Sequence, residues 1–251
     1  MTSFVADVGN TRIKWGQCGP AGIERWVALT DDPDQWRRAL AEWHVPDVAS
    51  WVIAGVHPQR RDRLAAWLVQ NGHQVRVLDR NSQVPLELKI DAPEKAGIDR
   101  LLNVLAARAR VPARTSAIVV DAGSAVTVNL LDETGAFAGG AIFPGLRLMA
   151  EALHDYTALL PVVKVTDYPP IVPAKSTDPA IAAGIYWAVV GGVAALIREL
   201  HSSAPGVEPL PVFLTGGDAA TIAGDLPDRE MFRYEVVPTL TLEGIRLAVD
   251  G

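Results

Sequence analysis

A chain of 251 residues, 49% hydrophobic and 21% charged, holds enough apolar material for one large folded domain or two of about 120 residues, which excludes a disordered chain. A formal net charge of −6 excludes a broad basic face for nucleic acid, so an anionic ligand has to be held by local groups. One cysteine, Cys18, excludes an internal disulfide and a cysteine metal cluster, which fits a reducing cytoplasm; Asp7 inside the first apolar run, with no basic leader, argues against a signal peptide.

In chain order, the run Ser3 to Ala6 delivers Asp7 to a Gly9-Asn10 turn, and Ile13 and Trp15 then alternate with Arg12 and Lys14, so residues 3–17 are predicted as a β-hairpin. Asp32-Pro33 starts a helix with Trp36, Leu40 and Trp43 on one stripe. Trp51 to Ala54 is a buried strand ending at Gly55, Pro58 opens a helix with Leu64, Trp67 and Leu68 facing inward, and Val75 to Leu78 is a further strand. His57, between strand and helix, reads as a loop residue.

Prolines and glutamates interrupt residues 82–97, and Leu101 to Arg108 then reads as a good helix, which puts Asp99 and Arg100 at its N-terminus. There the acid can accept a proton from a hydroxyl while the arginine grips a carboxylate or phosphate. The alternative is an ordinary helix-start acid and a surface arginine. Pro112 to Thr115 is the expected boundary between domains 1–115 and 116–251.

The second half repeats the opening design. Ala117 to Val120 delivers Asp121 to Gly123 and Ser124, and the strand to Leu131 returns through Thr127. A carboxylate, backbone N–H groups and hydroxyls around one small volume suit a phosphate and its cation, and two copies suggest related halves facing one ligand. Each stretch on its own could be a plain hairpin with a turn acid. Phe137 to Gly145 is a third strand rich in glycine, Leu146 to Leu159 a helix, and residues 160–174 a proline-punctuated loop carrying Lys164, Asp167 and Tyr168.

Ser176 to Pro179 starts a long helix that is uncharged from Ala180 to Ile197. Its length allows a membrane span, but its flanks, its diluting glycines and the bare stripe of Gly184, Ala188 and Gly192 favour a buried helix in a core or at a subunit interface. Last, Val212 to Thr215 is a strand ending in Gly216-Gly217 and Asp218 before the helix Ala219 to Ala223. A double glycine lets a flat ring lie on the backbone, or simply turns the chain.

Two acid–glycine hairpins followed by a strand ending in Gly-Gly resemble the ATPase superfamily of actin, Hsp70 and the sugar kinases. No Gly-x-x-x-x-Gly-Lys-Ser/Thr loop occurs, which excludes a Walker-type kinase. Within that superfamily Asp7 to Lys14, Gly97 to Arg100, Asp121 to Ser124, Gly139 to Gly145, Ser176-Thr177 and Leu214 to Gly217 together resemble the type III pantothenate kinase family. The resemblance implies an α/β fold of two RNase H-like domains, each with a mixed five-stranded sheet, and an interdomain ATP cleft. It implies phosphorylation of pantothenate, the first step of coenzyme A synthesis, by a cytoplasmic homodimer that binds neither nucleic acid nor membrane. ATP would be held by Asp7, Val8, Gly9, Asn10, Thr11, Arg12, Ile13 and Lys14, by Ser124 and Thr127, and by Gly216 and Gly217.

Pantothenate would be held by Gly97, Ile98, Asp99 and Arg100, with Asp99 as base, and by Thr177 of the neighbouring subunit. Asp121 would bind the monovalent cation, K+ or NH4+, and Asp7 would orient Mg2+ through water. Ser124 stands where the family more usually has threonine, Ala54-Gly55 where it often has small hydroxyl residues, and no aromatic lies near Pro93. A regulatory protein of the Bvg accessory factor type, or a kinase of this fold with another small hydroxylated substrate, are the alternatives.

Overall fold

The computed structural model describes residues 4–165, 169–204 and 208–250. Ser3, Asp167 and Tyr168, placed above in the first hairpin and the proline-rich loop, lie outside them. The described chain up to Arg110, together with the residues from Thr239 on, forms one compact unit, and Val111–Pro238 forms another.

In the first unit, β1 (Phe4–Val8), β2 (Ile13–Gly19) and β3 (Gly22–Leu29) run antiparallel, while β4 (Ser50–Ala54) and β5 (Gln74–Leu78) add in parallel, giving the order β3-β2-β1-β4-β5. β3 is an addition to the predicted elements; it is a half-exposed edge strand, and such strands lose the clean apolar alternation of central ones. Helix α1 (Pro33–Glu42) starts at Asp32, whose side chain accepts from the Asp34 amide at 2.9 Å. α2 (Pro58–Gln70) starts at His57, whose ring accepts from the Arg60 amide; the histidine is a helix cap rather than a plain loop residue. α3 (Ile98–Arg108) follows the proline-rich segment.

The core of this unit is aromatic. Trp51 stacks on Phe4 and meets Trp15 edge-on, each with ring centroids 4.8 Å apart, and Trp36 meets Trp67 at 5.4 Å. Trp15, Trp36 and Trp51 are fully buried, and Leu40 and Trp43 pack against the same cluster, so the stripe read on α1 is a core stripe.

The second unit repeats the plan: β6 (Ala117–Ala122), β7 (Ala125–Leu131) and β8 (Phe137–Pro144) are antiparallel, and β9 (Leu210–Thr215) and β10 (Phe232–Val236) add in parallel, in the order β10-β9-β6-β7-β8. α4 (Leu146–Asp155) stops short of the predicted Leu159. α5 (Thr177–Ser202) is the one helix among the described residues long and apolar enough to cross a membrane, with a mean hydropathy of 2.1 over its most apolar stretch. Ile185, Tyr186, Val189 and Val193 bury one side of it in the cluster that holds Ile118, Val120, Val126 and Val128 of the sheet, which makes it a core helix of this unit. Of its bare stripe, Gly192 admits the Phe143 ring, while Gly184 and Ala188 are exposed. α6 (Ala219–Ala223) follows β9.

The last helix, α7 (Leu240–Asp250), belongs to the first unit. The predicted split at residue 115 therefore needs two corrections: the division falls at Arg110, and the C-terminal helix leaves the second domain. Leu240, Leu242 and Ile245 are fully buried, Glu243 pairs with Arg110 at 2.8 Å, and Gly244 lies so close to α3 that a Cβ would sit 2.1 Å from the Leu102 carbonyl oxygen.

Candidate active site

Each unit presents an acid at the end of its central strand. In the first, the register sets Asp7 of β1 opposite Lys14 of β2 and Ala54 of β4. The Gly9 amide donates to the Arg12 carbonyl at 3.0 Å and closes the turn, leaving Asn10, Thr11 and Arg12 exposed. Gly55 has φ +155°, and a Cβ there would lie 2.3 Å from the Val8 carbonyl oxygen, so only glycine lets β4 leave the sheet so close to β1. Arg60 in the first turn of α2 donates from Nη1 to the carbonyl oxygens of Gly9, at 2.8 Å, and Asn10, at 2.6 Å. No sequence pattern pointed to Arg60, although a cation in a helix's first turn opposes the helix dipole and is a weak sign of another task.

The second feature of this unit is the start of α3. Gly97 caps the helix, and a Cβ on it would lie 2.6 Å from Asp99 Oδ1, so the glycine makes room for that carboxylate to fold back. Asp99 Oδ1 accepts from the Arg100 amide at 2.8 Å. Burial pushes the Asp99 carboxyl above its ordinary value, and the Arg100 amide and guanidinium offset this only in part. The same burial pulls the Arg100 guanidinium down. Ile98 is buried beneath them. A carboxylate raised in this way is closer to the working range of a general base than a free one.

In the second unit Asp121 of β6 is opposite Thr127 of β7 and Thr215 of β9, so all three project from one face of the sheet. Asn129 donates to Thr127 Oγ1 at 3.0 Å, whereas the fully buried Thr215 hydroxyl meets no hydrogen-bond partner among the described residues. Gly123 and Ser124 are seated from behind by Gly145, whose amide donates to the Ser124 carbonyl at 2.9 Å and whose Cβ, if present, would be 2.1 Å from the Gly123 carbonyl oxygen. After β9, Gly216 has φ +96° and a Cβ on it would meet Ala122 O at 2.3 Å and Asp121 Oδ1 at 2.6 Å. Gly217 is open on its Cβ side, and the Asp218 amide donates to Ala122 O at 2.9 Å. Burial raises the Asp218 carboxyl. Tyr186 of α5 donates to the Thr221 carbonyl at 3.2 Å and to the Asp225 carboxylate, which pins the far end of α6.

Asp121, Ser124, Thr127, Gly216 and Gly217 thus gather in one place in the second unit, as Asp7 to Lys14 do in the first. Thr177 is elsewhere in its unit, on a pocket of about 820 Å³ lined mainly by apolar side chains of α4 and α5, among them Met149, Leu153 and Ile181, and by Tyr156 just after α4. Among the described residues no three His, Cys, Asp or Glu side chains converge to hold a metal ion. A cation at Asp121 would therefore rely on hydroxyl, carbonyl, water or ligand oxygens, which hard cations accept, and the orphaned Thr215 hydroxyl in register with Asp121 fits that demand.

Two sheets of one strand order, each with an acid–glycine hairpin on its central strands, define the actin-like ATPase and sugar kinase fold. The same fold occurs in the activator of the 2-hydroxyisocaproyl-CoA dehydratase of Clostridium difficile, solved with bound ADPNP, with a TM-score of 0.56 and 15% identity over 99% of this chain and 92% of that one. It occurs also in a Campylobacter jejuni protein described as a Baf family transcriptional activator, with a TM-score of 0.59 and 18% identity over 98% and 97% of the two chains. The model of the type III pantothenate kinase family matches residues 3–199. A type III pantothenate kinase of Dechloromonas aromatica (strain RCB) is 35% identical over 246 residues, 96% of this chain and 95% of that protein. The chain belongs to the type III pantothenate kinase family and is a kinase.

Proposed function

We infer that the protein transfers the γ-phosphoryl group of ATP to the primary hydroxyl of pantothenate, giving 4'-phosphopantothenate in the first step of coenzyme A synthesis. The observation that carries this reading is Asp99, a half-buried carboxylate with a raised pKa, given its room by Gly97 and set beside Arg100 at a helix start. Asp99 takes the proton of the pantothenate hydroxyl as its oxygen bonds to the γ-phosphorus, the bond from that phosphorus to the bridging oxygen breaks, and ADP leaves. Arg100 holds the pantothenate carboxylate.

The segment Asp7 to Lys14 and the hydroxyls of Ser124 and Thr127 hold the phosphates, and the Gly216-Gly217 turn takes the adenosine. Asp7 would hold Mg2+, and Asp121 with Thr127 and Thr215 would hold K+ or NH4+. When bound, these ions neutralise phosphate charge that local side chains alone leave uncovered.

The working form is a cytoplasmic homodimer in which Thr177 reaches the pantothenate site of the neighbouring subunit. Support for an assembly surface near Thr177 comes from Tyr156, which lines the same pocket and is 89% exposed. Nothing favours the regulatory reading, because Asp99 and Arg100 are both in place, and nothing points to a different acceptor. The test is ADP release from the purified protein with ATP and Mg2+, with and without pantothenate, in potassium and in sodium buffer. Turnover that needs pantothenate and is stronger in potassium is expected. ATP binding without pantothenate-dependent turnover would overturn the reading.

A further inference from the structure

We propose that Arg60 is a positioning residue of the kinase, a clamp that sets the first hairpin's backbone for the phosphates of ATP. The proposal rests on the reading that this hairpin holds phosphate, but its geometry stands independently. Arg60 Nη1 donates to two consecutive carbonyls, Gly9 at 2.8 Å and Asn10 at 2.6 Å. In a trans peptide the C=O of one residue and the N–H of the next point in opposite directions. Holding the Gly9 and Asn10 carbonyls toward α2 therefore turns the peptide N–H groups that follow them away from it, so that the Asn10 amide faces the side where an anion would sit.

The clamp is itself held. Asp31, in the loop before α1, lies 3.6 Å from Arg60 Nε and 3.3 Å from an Arg63 nitrogen, and the Arg60 side chain is only 13% exposed. A guanidinium carries donors in a fixed fork, so one side chain can span Asp31 and both turn carbonyls. Three segments distant in sequence, the turn at Gly9, the loop at Asp31 and the first turn of α2, thus meet at one cation. Without it the turn would keep its Gly9 to Arg12 hydrogen bond but lose the anchor on its two carbonyls, and the cost of orienting those peptides would fall on ATP binding.

The test uses the whole protein and the variants Arg60→Ala, Arg60→Lys and Asp31→Asn. Charge-assisted hydrogen bonds to backbone carbonyls set the scale, so Arg60→Ala should raise the KM for ATP about tenfold, with the KM for pantothenate within about twofold of the parent. Arg60→Lys, which keeps the charge and one donor, should fall between, and Asp31→Asn should shift the ATP KM in the same direction by less. Amide hydrogen exchange of the peptide spanning Gly9 to Lys14, measured without substrates, should quicken in Arg60→Ala. If Arg60→Ala does not fold, the lysine and Asp31→Asn variants carry the same comparison. An ATP KM unchanged in all folded variants, or a rise in pantothenate KM equal to that for ATP, overturns the clamp. A parent without pantothenate turnover overturns the kinase reading instead, and hydrogen exchange then still decides whether the clamp exists.

Discussion

Asp7 and Asp121 occupy equivalent places in two sheets of the same plan, and their neighbours differ at each equivalent position. Across the antiparallel pair Asp7 meets Lys14 where Asp121 meets Thr127, and across the parallel pair it meets Ala54 where Asp121 meets Thr215. Gly55 and Gly216 follow the same parallel strand and each presses on the end of the central strand. One topology has been given two electrostatic settings: an acid facing a lysine suits a phosphate with magnesium, and an acid among hydroxyls suits a weakly held monovalent ion. The hairpins are also fastened differently, the first by a side chain, Arg60, and the second by backbone contact at Gly145.

The sharpest control lies outside both hairpins. Asp99→Asn should lower kcat by about 10³-fold, the scale of a lost general base, with the KM for ATP unchanged. A weakened ATP KM would mean that Asp99 serves the phosphate site as well. Because burial raises the folded-state pKa of Asp99, its contribution to stability is fully present below its unfolded pKa and is lost as pH rises through the folded value. Asp99→Asn should therefore melt no lower than the parent at neutral pH, and the parent's activity should climb as pH rises through a carboxyl pKa above the usual range.

The next effect tests the backbone fastening. Gly145→Ala forces a Cβ against the Gly123 and Ser124 carbonyl oxygens, at 2.1 and 2.9 Å, and should cost about 3 kcal/mol in denaturant unfolding together with a raised ATP KM. Equal stability to the parent would show that contact at Gly145 does not fasten the second hairpin. A smaller change is expected from Thr215→Val, which replaces the orphaned hydroxyl with a methyl of similar shape. If potassium raises the melting temperature over sodium, as the proposed cation site requires, Thr215→Val should blunt that rise, with the sodium value held or slightly raised; an undiminished potassium response would take Thr215 out of the proposed site. Smallest, Tyr186→Phe removes the hydroxyl that ties α5 to α6 and should cost about 1 kcal/mol in chemical denaturation, with a modest rise in ATP KM.

Much of this arrangement is legible in local sequence. The acid–glycine hairpins announce themselves because period-two alternation and glycine act over a few residues, and Asp99 stands out because a helix start follows proline-broken chain. β3 and β10 escape because charges break their apolar runs: Glu24 and Arg25 follow Ile23 in β3, and β10 is a short alternation of Phe232 and Tyr234 with Arg233 and Glu235. Arg60 and Thr215 escape for another reason: each acquires its meaning from a partner far along the chain, Gly9 for the arginine and Asp121 for the threonine. α7 shows an apolar stripe, but a stripe does not say which unit it will cover.

The placement of α7 has a consequence for the order in which the protein is made. A ribosome releases all of Val111–Pro238 before the helix that finishes the first unit has emerged. The later half of the chain is thus the first that can complete its core, while the strands synthesised earliest wait with the underside of α3 uncovered until α7 arrives with Leu242 and Ile245. Asp99 sits at the head of that waiting helix, so the proposed base takes its final support from a helix made only after the whole of the second unit.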